Sequence, residues 1–239
     1  MTFQFGIDHL LSQPELIKRL KSARVALVAH PASITDDNKH TLDVLIEAGC
    51  NLVKAFGPQH GMRGDKQDNM VESPNYLDPF HGIPVISLYG EHRKPTTDMM
   101  ADLDIVLFDL QDIGCRIYTY ITTLFYFCEA CSDSGIELWI LDRPNPAGRP
   151  VDGIFLESGE ESFVGCTSIP TRHGLTVGEL ASYFASLATG ELNQQIITMQ
   201  GYQCDNAPGY GWPVLQRPWI NPSPNASSLN MARCFPGTV

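Results

Sequence analysis

Carboxylates, histidines, arginines and tyrosines recur in this 239-residue chain at one kind of place, directly after short aliphatic runs. His30-Pro31 follows the run 25–29, and Gly57-Pro58-Gln59-His60-Gly61-Met62-Arg63-Gly64-Asp65 follows 51–56. Tyr89-Gly90-Glu91-His92-Arg93 follows 84–88, Asp109-Leu110-Gln111-Asp112 closes the run that begins at Ile105, and Asp142-Arg143-Pro144-Asn145 follows 137–141. Brought into one crevice, carboxylates, histidines and arginines suit acid/base chemistry on a hydroxyl-rich or anionic substrate. Each also has an ordinary structural reading. Asp109 and Asp112 can cap the following helix, where a carboxylate is worth about 0.3–1 kcal/mol, and Arg143 can pair with one of them. For single residues the two readings weigh alike; for the set, function is favoured.

The runs that carry these residues are aliphatic on both faces, as strands covered from both sides must be. Amphipathic segments alternate with them: 14–21, 40–48, a short one at 96–103, and Tyr120 to Ser134, which Gly135 stops. The pattern predicts an α/β fold, a parallel sheet of about five strands with helices on both faces. In such a sheet the carboxyl ends of the strands share one edge, and ligands bind in the crevice outside it. From Pro144 onward Pro and Gly cluster in 143–153 and 207–224, read as connections. Between them Thr176, with Glu179 three residues on, forms a capping box for a helix over 176–188, and a strand at 195–199 follows. The chain ends in a Pro-Gly turn, which raises the expectation of further residues beyond it.

Composition excludes several classes. Twenty-seven acidic against 16 basic residues, a formal charge of −11, leave no broad basic face for a nucleic acid. No apolar run approaches the roughly 18 residues of a membrane span. No basic stretch followed by an apolar one opens the chain, so a cytoplasmic location is expected, with periplasmic or extracellular work open if a signal was removed. Seven scattered cysteines suggest reduced thiols, and Cys128-x-x-Cys131 reads as buried small side chains. No dinucleotide fingerprint, phosphate loop, metal-protease helix or serine elbow occurs, so no cofactor and no metal is expected. Cys115 beside Arg116 is a weak candidate nucleophile. Trp212 and Trp219 read as anchors of a Pro-rich loop rather than as sugar platforms.

The blocks Gly57–Gly64, Ser87-Leu88-Tyr89-Gly90, Asp109–Tyr120, Leu141–Pro146, Arg172–Leu180 and Asn221-Pro222-Ser223-Pro224-Asn225 occur in this order along nearly the whole chain. In them the sequence resembles a bacterial family once called a domain of unknown function, whose characterised members are NamZ-like exo-β-N-acetylmuramidases. The resemblance implies a Rossmann-like domain over residues 1–150. It also implies a smaller C-terminal α+β domain, of which 151–239 is the incomplete start, with the active site between the two. It implies a glycosidase that removes N-acetylmuramic acid from the non-reducing end of peptidoglycan fragments in cell-wall turnover, so muramyl sugars are the expected partners. Catalysis is placed among Gln59, His60, Glu91 and Asp112. Substrate contacts are placed at His30, Arg63, Tyr89, Gln111, Arg116, Tyr118, Asp142, Arg143, Asn145 and His173, although His173-Gly174 is equally good turn chemistry.

Two departures from the family pattern carry consequences. Where the family has Pro-Glu-His-Gly, this chain has Gln59, and an amide cannot act as the acid that glycosidases need from a carboxyl pair. Glu91 is the first substitute by topology and Asp112 the second. Family members also continue well past the Asn-Pro-Ser-Pro-Asn block. The alternative reading is therefore a catalytically inactive muramyl-sugar-binding module. A third, an unrelated hydrolase of phosphorylated sugars, rests on the glycine-rich loop and Arg63. Oligomeric state is not legible.

Overall fold

The computed structural model describes residues 3–59, 61–62, 74–188, 190–203, 212 and 217–239. Its strands are β1 (Val25–Ala29), β2 (Leu52–Gly57), β3 (Tyr76–Leu77), β4 (Pro84–Ser87), β5 (Ile105–Asp109), β6 (Glu137–Leu141), β7 (Asp152–Phe155), β8 (Pro170–Arg172) and β9 (Gln194–Ile197). The helices are α1 (Gly6–Leu11), α2 (Pro14–Ser22), α3 (Thr41–Glu47), α4 (Thr97–Met100), α5 (Tyr120–Ser134), α6 (Val177–Leu187) and α7 (Leu229–Cys234). Seven strands form one sheet in the order β3-β4-β2-β1-β5-β6-β9, parallel except for β3, which runs antiparallel to β4. β7 and β8 make a separate antiparallel hairpin.

Period-two alternation sorts the strand residues between two cores. Ala26, Val28, Val106, Phe108, Leu138 and Ile140 face α4, α5 and α6. Val25, Leu27, Ile105, Leu107, Trp139 and Leu141 face α1, α2 and α3. The sheet is thus covered on both faces, as the aliphatic runs require. Cys128 and Cys131 sit in the first core, where burial pushes both thiols up, Cys128 to about 12. No helix among the described residues is long and apolar enough to cross a membrane.

The five expected strands and the helices between them are present, within a residue or two at most ends. Two further strands join these five in the sheet, β3 and β9. β3 is two residues long, too short to show a period. β9 is the strand expected at 195–199, observed one residue earlier at Gln194–Ile197 on the sheet's edge; α6 carries the chain across the sheet and β9 pairs in parallel with β6. Thr176 and Glu179 form the expected capping box. Val177, Leu180, Ala181 and Phe184 of α6 join the same core as α5, so residues 176–197 pack with the first 150 rather than apart from them.

The sheet's last strand also receives the beginning of the chain. Gln4 and Gln200 exchange both backbone hydrogen bonds (2.9 and 3.0 Å), and the Gly6 N–H donates to the Asp142 carbonyl at 3.0 Å. Ile7 and Leu10 of α1 are fully buried there.

Candidate active site

The polar residues at the strand ends meet along the carboxyl edge of the sheet, but most are engaged by the framework. Arg143 and Asp109 form a two-pronged ion pair, Nε to Oδ1 at 2.6 Å and Nη2 to Oδ2 at 2.9 Å, with 1% and 0% of their side chains exposed. Thr41 Oγ1 donates to Asp109, and Arg143 Nη2 also reaches the Ile34 carbonyl. Both ring nitrogens of His30 face backbone N–H groups, Ala32 at 2.9 Å and Gln111 at 2.7 Å, which braces the β1 loop against the β5 loop. Gln111 Nε2 donates to the Asp112 and Pro144 carbonyls, and Asn145 bridges Ala147 N–H to the Leu175 carbonyl. Arg116 Nη1 donates to the Ile154 and Ile169 carbonyls and so holds the β7–β8 hairpin. These residues were expected to touch substrate. Their hydrogen bonds go to the framework because loops packed this tightly must satisfy their own backbone groups.

Asp142 is engaged in the same way. Its Oδ1 accepts from Gly178 N–H at 2.7 Å and Arg143 N–H at 2.9 Å, and its Oδ2 accepts from Thr176 Oγ1 at 3.3 Å, at the start of α6. Only glycine fits at 178, since a Cβ there would lie 2.9 Å from the Asp142 carboxyl carbon. Burial lifts the Asp142 carboxyl from 3.8 to about 6, against the opposing pull of these donors. The folded protein therefore holds this proton more tightly than the unfolded chain. Asp142's contribution to stability is whole below about 3.8 and is lost as pH rises through about 6. Asp142→Asn is expected to flatten the stability profile in that window, read by urea unfolding; an unchanged slope overturns the assignment.

One carboxylate remains chemically open. Asp112 is 3% exposed, its Oδ2 accepts from Gly114 N–H at 2.7 Å, and His173 Nε2 lies 3.1 Å from the same oxygen. His173 Nδ1 accepts from Leu175 N–H at 3.2 Å, which places the ring proton on Nε2 and makes His173 the donor to Asp112. Gly114 adopts φ +84°, and a Cβ there would lie 2.3 Å from Asn145 Oδ1, so this turn accepts only glycine. Asp112 Oδ1 is buried and makes no hydrogen bond. Gln111 Oε1 beside it is in the same condition.

The Asp112 carboxylate acts electrostatically on the Tyr118 phenol, and the Tyr118 ring meets that of Tyr120 edge to face at 4.8 Å. Burial raises Tyr118 well above its ordinary 10, with the Ser223 hydroxyl opposing, and raises Tyr120 likewise, so both stay neutral. Tyr120 OH donates to the Pro222 carbonyl at 2.8 Å and approaches the Gln59 carbonyl at 3.3 Å. Gln59 Oε1 accepts from Thr119 Oγ1 at 3.3 Å, at the start of α5. Thr119, Tyr120 and Ser223 were not singled out from the sequence, though they lie in the recurring blocks. Glu91 is 89% exposed, with His92 Nε2 at 3.7 Å, and no hydrogen bond among the described residues ties it to Asp112. Tyr89 lies under Arg93. His60 and Arg63 fall outside the described residues. Trp212 and Trp219 pack edge to face at 5.0 Å, and Trp219 Nε1 donates to the Ala226 carbonyl, as anchors do.

The family model described as Exo-beta-N-acetylmuramidase NamZ, N-terminal, matches residues 25–230. The chain belongs to the NamZ N-terminal family. The span matched to NamZ contains Gln59, Asp112, His173 and Ser223. The Peptidoglycan beta-N-acetylmuramidase NamZ of Bacillus subtilis (strain 168) is 39% identical over 237 residues, covering 98% of this chain and 56% of that protein. Two crystal structures of DUF1343 family proteins from Bacteroides fragilis NCTC 9343 superpose on it. One has a TM-score of 0.86 at 36% identity, covering 96% of this chain and 57% of the other. The second has a TM-score of 0.81 at 30% identity, covering 99% and 60%. This NamZ-family chain thus spans little more than half the length of the relatives it matches.

Proposed function

We propose that this NamZ-family chain carries the catalytic crevice of a glycoside hydrolase that releases N-acetylmuramic acid from the non-reducing end of peptidoglycan fragments. The observation that carries the reading is the Asp112–His173 pair. Of the carboxylates at the strand ends, Asp109 is neutralised by Arg143 and Asp142 is tied to α6, whereas Asp112 keeps one buried oxygen without a hydrogen bond. A buried carboxylate oxygen left unmatched costs stability, and a sugar hydroxyl or glycosidic oxygen is the kind of partner that would repay it. In this reading Asp112 acts as the general acid or base, His173 fixes its orientation, and the neutral Tyr118 hydroxyl helps to position the sugar.

Gln59 favours a second reading, a crevice that binds muramyl sugars without cleaving them, because an amide cannot supply the second carboxyl of a glycosidase pair. Hydrolysis of a chromogenic β-N-acetylmuramide by this chain and its Gln59→Glu variant separates the two. General acid/base groups contribute roughly 10²–10⁴-fold, so Gln59→Glu is expected to raise the rate by about 10²-fold or more. Binding without turnover in both proteins selects the second reading. No binding by either removes both.

A further inference from the structure

Arg93, in the loop after β4, stands outside every role described so far. Its guanidinium carbon lies 4.9 Å from the Tyr89 ring centroid and 4.8 Å from that of Phe163, which belongs to the β7–β8 connection. Cation–π contact holds a guanidinium by its faces and leaves its in-plane N–H donors for other partners. Among the described residues no carboxylate or carbonyl takes them. Its neighbour Lys94 is already paired with Glu129 at 2.9 Å, and Glu91 is turned to His92. In a chain of net charge −11, this exposed arginine is oriented by two rings and has no acidic partner among the described residues. It occupies the same edge of the sheet as the Asp112 cluster, since β4 lies beside β2, whose loop carries Gln59. The hairpin that supplies Phe163 is held by Arg116, four residues from Asp112.

We infer that Arg93, presented by Tyr89 and Phe163, is a binding site for a carboxylate of the substrate. The inference rests on the muramyl reading above and deepens it. A planar guanidinium matches a carboxylate in a two-pronged geometry, which a lysine at this position would not. A muramyl fragment offers that carboxylate from one of two sources, the lactyl group of the sugar or the peptide attached to it.

The test is the dissociation constant, by titration calorimetry, of the whole chain and Arg93→Gln for three probes. These are methyl β-N-acetylmuramide with its free lactyl acid, the lactyl methylamide, and the lactyl alanine conjugate, which carries the carboxylate one residue further out. Charge-assisted hydrogen bonds make a difference of about 10- to 100-fold the expected preference of the wild type for a carboxylate probe over the methylamide. Preference for the free acid identifies the lactyl source, and preference for the conjugate the peptide source. Arg93→Gln should lose the preference while binding the methylamide as before. Arg93→Lys, which keeps the charge, should retain only part of it. Preference that survives in Arg93→Gln, or that is absent from the wild type, overturns the proposal. Failure of the wild type to bind any probe instead removes the muramyl reading and this proposal with it.

Discussion

Asp112→Asn is expected to lower turnover of a β-N-acetylmuramide by about 10³-fold or more, with the fold and the affinity for the sugar close to wild type. The substitution isolates the reacting oxygen. The amide oxygen can keep the position of Oδ2, accepting from Gly114 N–H and His173 Nε2–H, while its nitrogen takes the corner where Oδ1 makes no hydrogen bond. Only proton transfer is removed. Steady-state hydrolysis in the Gln59→Glu background provides the rate, and calorimetry with the methyl glycoside provides the affinity. Turnover that survives Asp112→Asn would transfer the catalytic role to another carboxyl, and Glu91→Gln is then the next variant.

The largest loss of stability is expected from Arg143→Met. The Asp109–Arg143 pair is fully buried, and removing the cation leaves a carboxylate whose remaining partner is the Thr41 hydroxyl. Breaking a buried pair from one side costs about 3–5 kcal/mol, whereas replacing both partners by apolar side chains is often neutral. Urea unfolding should therefore show a large drop in midpoint for Arg143→Met and recovery of most of it in Asp109→Leu/Arg143→Met. A single variant within about 1 kcal/mol of wild type contradicts the pairing, since surface pairs are worth that little.

The contrast between Asp109 and Asp112 shows how much of this molecule is legible in its sequence. Three residues apart, they are equivalent as letters, and the reading that both stand at the end of one strand was sound because aliphatic runs and glycine stops set element positions. What each carboxylate does depends on Arg143 and His173, which lie 34 and 61 residues further on. No local spacing reveals such pairings. The same holds for His30, Gln111 and Asn145, polar residues at the right edge whose hydrogen bonds close loops. Strand β3 escaped for another reason, being only two residues long, whereas the strand expected at 195–199 is present as β9. Arg93 was legible as one of the arginines at the strand ends, but not its two rings, which come from separate parts of the chain.

The pairing of Gln4 with Gln200, and the docking of α1 on β6 and β9, also fixes an order of assembly. At a synthesis rate of about 5–20 residues per second, α1 leaves the ribosome roughly 10–40 s before β9 exists to receive it. Through that interval Ile7 and Leu10 have no completed surface to cover them. The strands from β1 to β6 can pair meanwhile, so α1 is among the last of these elements to be seated. Translation that stops short of residue 200 yields a sheet on which residues 4–11 are not yet fastened.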